Sequence, residues 1–421
     1  MMMKVFACCV LLAVASAPGF FLGASGLTAP TLFPAERCEG SRMPYPAPDS
    51  VVEWPDSLVP VMINHVGRHG ARFPTSAKRF GRLAGVLERA ESGGTLTRRG
   101  RLLLQLTRRA MADADGRWGE LDSLGVAEQR GIARRMFEAF PQLFVGQKVD
   151  AISSYVARCV ASMDAFTAQI NELADGRVTL ADDSGREFSP LLRPFEVDSV
   201  YVEFAAARPY AGVLDAFARE VSPAVAVAGS MVGGELAAAE ADEVASDIYY
   251  VVSALSAMGL SADWQDFFSL EEYNRMWAVD NLRQYLSRTA TTVSAVPAEI
   301  ASALVGDLVR TTDDFISGAD VTPVRLRFGH AETIMPLASL MRLPGCYYLT
   351  YYFDTVASHW QNWNVVPMAA NIRLILFRSQ SGRYYVRTEL NERPLELIPG
   401  CRDLYVPWER ARNYLVAVAG L

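Results

Sequence analysis

The sequence predicts an α/β fold, a largely parallel or mixed sheet flanked by helices, with a helical cap inserted into it. Three observations carry that prediction. Short apolar runs of strand length alternate with amphipathic helical stretches up to about residue 202. Residues 203–318 then show helical periodicity and few strand signals. Strand signals return at Val324 and continue toward the carboxyl end. A chain of 421 residues, 51% hydrophobic and 21% charged, has ample material for a core, which excludes a disordered chain.

Each segment follows in order. Residues 1–26 read as an export signal: Lys4 is a positive start, Val5 to Ala17 is apolar apart from Ser16, and small residues follow at Ala15–Ala17 and Gly23–Ser25. The protein is therefore expected to be exported, periplasmic or secreted. Pro18 and Gly19 argue against a membrane span there, and no other stretch is long and apolar enough. Residues 27–58, rich in Pro and Ser, read as an amino-terminal arm wrapped over the domain.

The first part of the α/β core covers 59–202. Val59–Asn64 is a candidate buried strand, ending at a turn from Gly67 to Pro74. Thr75 or Ser76 can cap a helix running toward Ala90. Further helices are expected over Thr97–Ala112, Val126–Phe140 and Val160–Leu173, with a strand at Val149–Tyr155. After the cap, the second part of the core, 319–421, offers strands at Val324–Phe328, Ile372–Phe377 and Tyr384–Leu390. Its expected helices cover Ile334–Met341 and Trp408–Val418.

Composition narrows the partners. A net charge of −7 makes a general nucleic-acid binder improbable. An acidic protein can still hold an anion in a local positive cluster. Only Lys4, Lys78 and Lys148 are lysines, so such a cluster will be built mainly of guanidinium groups. Removal of the signal takes Cys8 and Cys9 and leaves Cys38, Cys159, Cys346 and Cys401. These permit one or two disulfides or stand as buried thiols. No cysteine pair has metal-ligand spacing and there are four histidines, so neither a metal nor another cofactor is expected.

The chemistry concentrates in Arg68-His69-Gly70-Ala71-Arg72-Phe73-Pro74, directly after the first core strand. Ligands of open α/β sheets sit at the carboxyl ends of strands. Two guanidinium forks can hold the oxygens of a phosphoryl group while the histidine nitrogen attacks phosphorus in line. Gly70 is read as allowing the backbone to approach the bound group. Five fixed letters in a chain of this length arise by chance in roughly one sequence in ten thousand.

These residues resemble the histidine acid phosphatase family, defined by R-H-G-x-R-x-P. The second hallmark resembles Gly329-His330-Ala331-Glu332-Thr333, and His-Ala-Glu is the pattern of its multiple inositol polyphosphate phosphatases, a subgroup of phytases. Arg158 with Ser162, Leu191–Phe195, Trp264–Phe268, Asn371 and Leu390–Pro394 are similar to further family segments. Gln265 stands where a cysteine is usual. The resemblance spans about Val59 to Trp408.

It implies that His69 is the nucleophile and forms a phosphohistidine. It further implies that Arg68, Arg72, Arg158 and His330 cradle the phosphate, and that Glu332 is the proton donor. The implied activity is metal-independent hydrolysis of phytate and other inositol polyphosphates. A general acid or sugar-phosphate phosphatase, or an inactive phosphate-binding protein, are the alternatives. No protein partner is implied.

Lys78 and Arg79, just past the loop, are candidates for outlying phosphates. His65 is read as a packed neighbour and His359 as a surface residue. The pairs Glu271-Glu272 and Asp313-Asp314, and the runs at Arg98–Arg101, Arg108-Arg109 and Arg134-Arg135, are read as solvated helix faces.

Overall fold

A computed structural model describes residues 32–50 and 52–421; the expected signal segment, 1–26, lies outside the described residues. Strand β1 (Leu58–Arg68) is buried on both faces over most of its length, as a strand inside a parallel sheet must be. Helices α1 (Lys78–Ser92), α2 (Arg98–Ala114) and α3 (Ser123–Ala139) follow, then β2 (Lys148–Ser154), α4 (Ala157–Leu173) and β3 (Thr179–Gly185).

Up to Val324 every further α-helix or strand is an α-helix. The short turns α5 (Ser189–Leu192) and α6 (Pro194–Val197) lead into α7 (Ser199–Ala207), α8 (Ala211–Val221), α9 (Ala224–Val232) and α10 (Ala238–Ala254). After these come α11 (Leu270–Arg288), α12 (Val296–Glu299) and α13 (Ser302–Ser317). The chain then returns to the sheet with β4 (Val324–Gly329) and α14 (Ala331–Leu340). Two helical turns, α15 (Val356–His359) and α16 (Asn362–Val365), precede β5 (Asn371–Ser379), β6 (Tyr384–Leu390), β7 (Arg393–Leu395), β8 (Val406–Pro407) and α17 (Trp408–Ala419).

The sheet order is β3-β2-β4-β1-β5-β6-β7, with β8 paired to β6. The half from β3 to β1 is parallel, and β5, β6 and β7 add antiparallel strands. The sheet is therefore mixed. Its one unpredicted long strand is β3, Thr-Leu-Ala-Asp-Asp-Ser-Gly, at the sheet edge with most residues exposed. An edge strand buries little, so it lacks the apolar signature by which strands are read, and its aspartates guard the open edge.

Helices α3 and α4 cover one face, packing Ile132, Met136, Met163 and Phe166 on Ile63, Val149, Leu326 and Phe328. Leu304 and Leu308 of α13, Ile334 of α14 and Leu415 of α17 cover the other. The helical stretch divides in its packing: α13 lies on the sheet, whereas α9 and α10 share an apolar cluster with α1 and α2.

The arm is an integral piece of the structure. Phe33 packs edge-on to Trp277 of α11, and Asn274 bonds both its backbone N–H and carbonyl. Tyr45 Oη donates to Glu392 at 2.9 Å. Cys38, Cys159, Cys346 and Cys401 are all buried and free, so among the described residues the thiol alternative holds and no disulfide forms.

Candidate active site

Strand register creates the site. Arg68 at the end of β1 is aligned with Gly329 at the end of β4, so His69 and His330, each the next residue, emerge side by side. Their rings are 5.8 Å apart, edge to face. Strand β2 lies on the other side of β4, and the turn after it starts α4, which brings in Arg158. Three neighbouring carboxyl ends thus deliver residues separated by up to 261 positions in sequence (His69 to His330), the arrangement open α/β sheets use for ligands.

The loop after β1 is held from behind. Gln129 Nε2 donates to the Arg68 carbonyl at 2.9 Å, and Ala71 N–H donates to Glu128 at 2.7 Å. Glu128 also accepts from Tyr45 N–H of the arm at 2.7 Å. Burial pushes the Glu128 carboxyl up to about 7 despite these bonds and the nearby Arg68. Gly70 is also required for contact with α3. A methyl group there would lie 2.4 Å from the Gly125 carbonyl oxygen.

His69 is buried, and its Nδ1 lies 2.9 Å from the Gly70 carbonyl. A carbonyl only accepts, so Nδ1 carries the proton and Nε2 keeps its lone pair. Burial, then Arg158, Arg68, Arg72 and His330, holds the imidazole well below its ordinary pKa, so it stays neutral in acid. His330 is likewise pushed down to about 3 by burial and by Arg158, with Glu332 opposing.

Arg68 Nη1 donates to the carbonyls of Ser41, Val366 and Pro367 at 2.6, 2.7 and 3.0 Å. The Nε atoms of Arg68, Arg72 and Arg158 are all buried without a partner. Burial and mutual repulsion lower Arg68 to about 9 and Arg72 to about 10. At an effective dielectric of about 20, like charges 4 Å apart repel by about 4 kcal/mol. Such a cluster with idle donors is a site for an anion.

The cleft above His69 has a volume of about 230 Å³. Six arginines line it, Arg42, Arg68, Arg72, Arg158, Arg283 and Arg288, against one carboxylate, Glu332. Glu332 sits in the first turn of α14, 3.4 Å from Arg288. Burial alone would raise its carboxyl, but Arg288, His330 and Arg68 outweigh that and hold it at about 2.

Lys78 and Arg79 do not line the cleft. Lys78 is exposed, while Arg79 is turned to Asp247 at 2.6 Å and lies over the Tyr250 ring. The helix starts at Lys78 with Ala77 at its cap position and no side-chain cap, so neither Thr75 nor Ser76 caps it as expected; Thr75 lines the cleft.

The outlying basic groups come from elsewhere. Arg42 belongs to the arm, and Arg283 and Arg288 to α11. Asp280 pairs with Arg42 at 3.4 Å and with Arg283 at 2.6 Å. Asp280, Arg283, Gln284 and Arg288 recur at helical spacing, a polar face on a largely buried helix, and that was the available signal. Arg42 gave none. Arg193 was also overlooked: its Nη1 lies 2.5 Å from His330 Nε2.

His65 is buried beside Phe166 and Phe328. His359 is exposed and stacks on Tyr348. One supposed solvated residue is not so: Arg135 pairs with the buried Glu392 at 2.7 Å.

No family model matches the chain. Over 384 residues it is 26% identical to multiple inositol polyphosphate phosphatase 1 of Homo sapiens, covering 81% of this chain and 76% of that protein. The Gallus gallus protein of the same name is also 26% identical, over 81% and 78%. Among solved structures, the multiple inositol polyphosphate phosphatase of Bifidobacterium longum, in complex with inositol hexasulfate, superposes with a TM-score of 0.78. It is 19% identical over 91% of this chain and 98% of that one. The phytase from D. castellii superposes with a TM-score of 0.72, 16% identical over 91% and 85%.

The fold is that of the histidine acid phosphatases, a class of phosphate-ester hydrolases. In sequence the chain is similar to the multiple inositol polyphosphate phosphatases of Homo sapiens and Gallus gallus.

Proposed function

We propose that this protein hydrolyses phytate and other inositol polyphosphates one phosphate at a time, through a phosphohistidine on His69 and without a metal ion. The observation that carries the proposal is the ring of six arginines against one carboxylate, closed around a histidine whose Nε2 lone pair is free. A polyphosphorylated ring matches that charge better than a small monoester does.

In the reading, Arg68, Arg72, Arg158 and His330 hold the scissile phosphoryl group, and Arg42, Arg283 and Arg288 meet its neighbours. His69 Nε2 attacks phosphorus, the N–P bond forms and the ester P–O bond breaks. The leaving alkoxide takes the Glu332 proton. Water then attacks phosphorus, Glu332 receives its proton, and the N–P bond breaks to release phosphate and neutral His69. The arginines neutralise the charge developing on the phosphoryl oxygens.

With its carboxyl held at about 2 in the free cleft, Glu332 is ionised there at any pH well above that value. A bound polyanion cancels the arginine field and adds like charge, raising that pKa until the carboxyl carries the proton it donates.

Residues 1–26 are proposed as the export signal of a periplasmic or secreted enzyme. No helix among the described residues is long and apolar enough to cross a membrane. The division proposed for the remainder is an arm, 27–58, a two-part core, 59–202 and 319–421, and a helical cap insertion, 203–318, of which α10 and α11 line the cleft while α13 packs on the sheet.

The test is ion chromatography of inositol phosphates formed from phytate by purified protein, with and without excess chelator. Stepwise loss of phosphate in both arms supports the reading. Turnover of simple monoesters with phytate untouched points to a general acid phosphatase. No turnover of either points to a phosphate-binding protein.

A further inference from the structure

We infer that Arg193 is a positioning residue that fixes the tautomer of His330, and so decides which nitrogen of that ring meets the phosphoryl group. The inference deepens the proposed phosphatase reading and rests on it. Arg193 lies between α5 and α6, at a corner stapled to α14: the Leu192 carbonyl accepts from Thr333 Oγ1 at 2.6 Å, and Thr333 Oγ1 in turn accepts from His330 N–H at 3.0 Å. The Arg193 side chain is 11% exposed and is gripped by Glu196, with Nε 2.8 Å from Oε2 and Nη2 on Oε1. Tyr155 Oη donates to the same carboxylate at 2.9 Å. The remaining nitrogen, Nη1, is aimed at His330 Nε2.

A guanidinium only donates, and both ring nitrogens face one, Nε2 that of Arg193 at 2.5 Å and Nδ1 that of Arg158 at 3.2 Å; a neutral ring accepts at only one nitrogen, and the shorter contact, made by the guanidinium that Glu196 holds in place, takes Nε2. The proton of neutral His330 therefore sits on Nδ1. Ser154 Oγ, 3.0 Å from Nε2, is a second group on the accepting side. Nδ1–H then faces Arg158 Nη2, another obligate donor, at 3.2 Å. The Cys159 thiol, 3.8 Å from Nδ1, is a weak acceptor and itself donates to the Gly329 carbonyl; two strong donors that close are satisfied together by one oxygen that accepts from both. A phosphoryl oxygen is that group.

The alternative tautomer undoes this arrangement. With the proton on Nε2, His330 would donate to Ser154 Oγ, and its Nδ1 lone pair would accept directly from Arg158. The two would satisfy each other and both donors would be withdrawn from the phosphate. Arg193 opposes that state, because its Nη1, 2.5 Å from Nε2, would then have no lone pair to donate to and would crowd the Nε2 proton. The second hydrogen bond of a functional histidine commonly sets the tautomer in this way.

The experiment uses Arg193→Leu, which has no donor, and Arg193→Lys, which keeps one, in the full protein. Imidazole nitrogens are assigned by ¹⁵N NMR, and binding of inorganic phosphate is measured by calorimetry. In the wild type and in Arg193→Lys, His330 should hold its proton on Nδ1. In Arg193→Leu the Nε2–H form should appear, phosphate affinity should fall tenfold or more, and kcat for phytate should fall with it. If Arg193→Leu does not fold, Glu196→Gln, which loosens the grip on Arg193, is measured in the same way and should move both readouts in the same direction by less. A His330 that keeps its Nδ1 proton, or an unchanged phosphate affinity, in the folded variant overturns the inference. Failure of the wild type itself to bind phosphate would instead strike the phosphatase reading.

Discussion

Gly70 and Gly125 stand back to back across the loop that follows β1 and the first turn of α3. A methyl group on Gly125 would lie 2.1 Å from the Ala71 carbonyl oxygen and 2.7 Å from its nitrogen. The loop is therefore shaped as much by α3 as by the strand that leads into it. The Asp122 and Ala71 backbones bond at 2.9 Å on the same seam.

Gly125→Ala should show what that contact is worth. Two backbones must separate to admit the methyl group, an overpacking cost of about 1–3 kcal/mol. Denaturant unfolding should register that loss. Turnover should fall by about tenfold or more, because displacement of the loop carries Arg68, His69 and Arg72 with it. A variant of unchanged stability and full activity would mean that the loop is held by other contacts.

Replacement of His69 by Ala should abolish hydrolysis, by at least about a thousandfold, with the fold retained. Wild-type enzyme quenched during turnover should carry one acid-labile phosphate, located on His69 by mass spectrometry. Phosphate trapped on another residue, or brisk turnover by the variant, would remove His69 from the role.

For Glu332→Gln the leaving group is the readout. Inositol alkoxides need a proton to depart, whereas activated phenolates do not, so the variant should lose far more on phytate than on an aryl phosphate. Glu332 acts as an acid only while protonated, and its carboxyl lies near 2 in the free enzyme. In the wild type, kcat/KM should therefore decline as pH rises through the acid range. The corresponding limb of kcat should lie at higher pH, since bound substrate raises the carboxyl. Equal losses on both substrates would make Glu332 structural.

Outlying phosphates should be read by Arg42 and Arg283. Arg283→Ala is predicted to raise KM for phytate several-fold with kcat little changed, the mark of lost uniform binding. Raising ionic strength should raise the wild-type KM for phytate more than that for an aryl monoester, because partly exposed charge contacts of about 1 kcal/mol are screened. Lys78→Ala and Arg79→Ala, outside the cleft, should leave both constants near wild type. The reverse ranking would place substrate on the α1 side.

Glu128 gives a pH-dependent prediction for stability. Its carboxyl is raised to about 7 by burial, against an ordinary value of 4.5. A group raised in the folded state adds stability below its unfolded pKa and loses that contribution as pH rises through the folded one. Glu128→Gln removes this dependence while giving up one acceptor for the Ala71 and Tyr45 N–H groups. The variant's stability relative to wild type should therefore improve between pH 4.5 and pH 7. A difference that is flat across that window would show that Glu128 does not titrate there.

The amino-acid sequence by itself determined the parts whose signals are local. Apolar runs marked β1, β2, β4, β5 and β6, because interior strands are buried on both faces and must be written in apolar letters. Arg68-His69-Gly70-Ala71-Arg72 and His330-Ala331-Glu332 were legible because the chemistry needs those residue types close together along the chain. The tertiary structure alone decided what depends on long-range register. Alignment of β1 with β4 set His69 beside His330, and packing of the arm and α11 brought Arg42, Arg283 and Arg288 over the cleft. Arg79 illustrates the difference. Nearness to the motif in sequence made it a candidate, but the buried Asp247 of α10 draws its guanidinium away from the cleft. Where a long flexible side chain comes to rest is fixed by the partner that folding places beside it, and no local pattern records that partner.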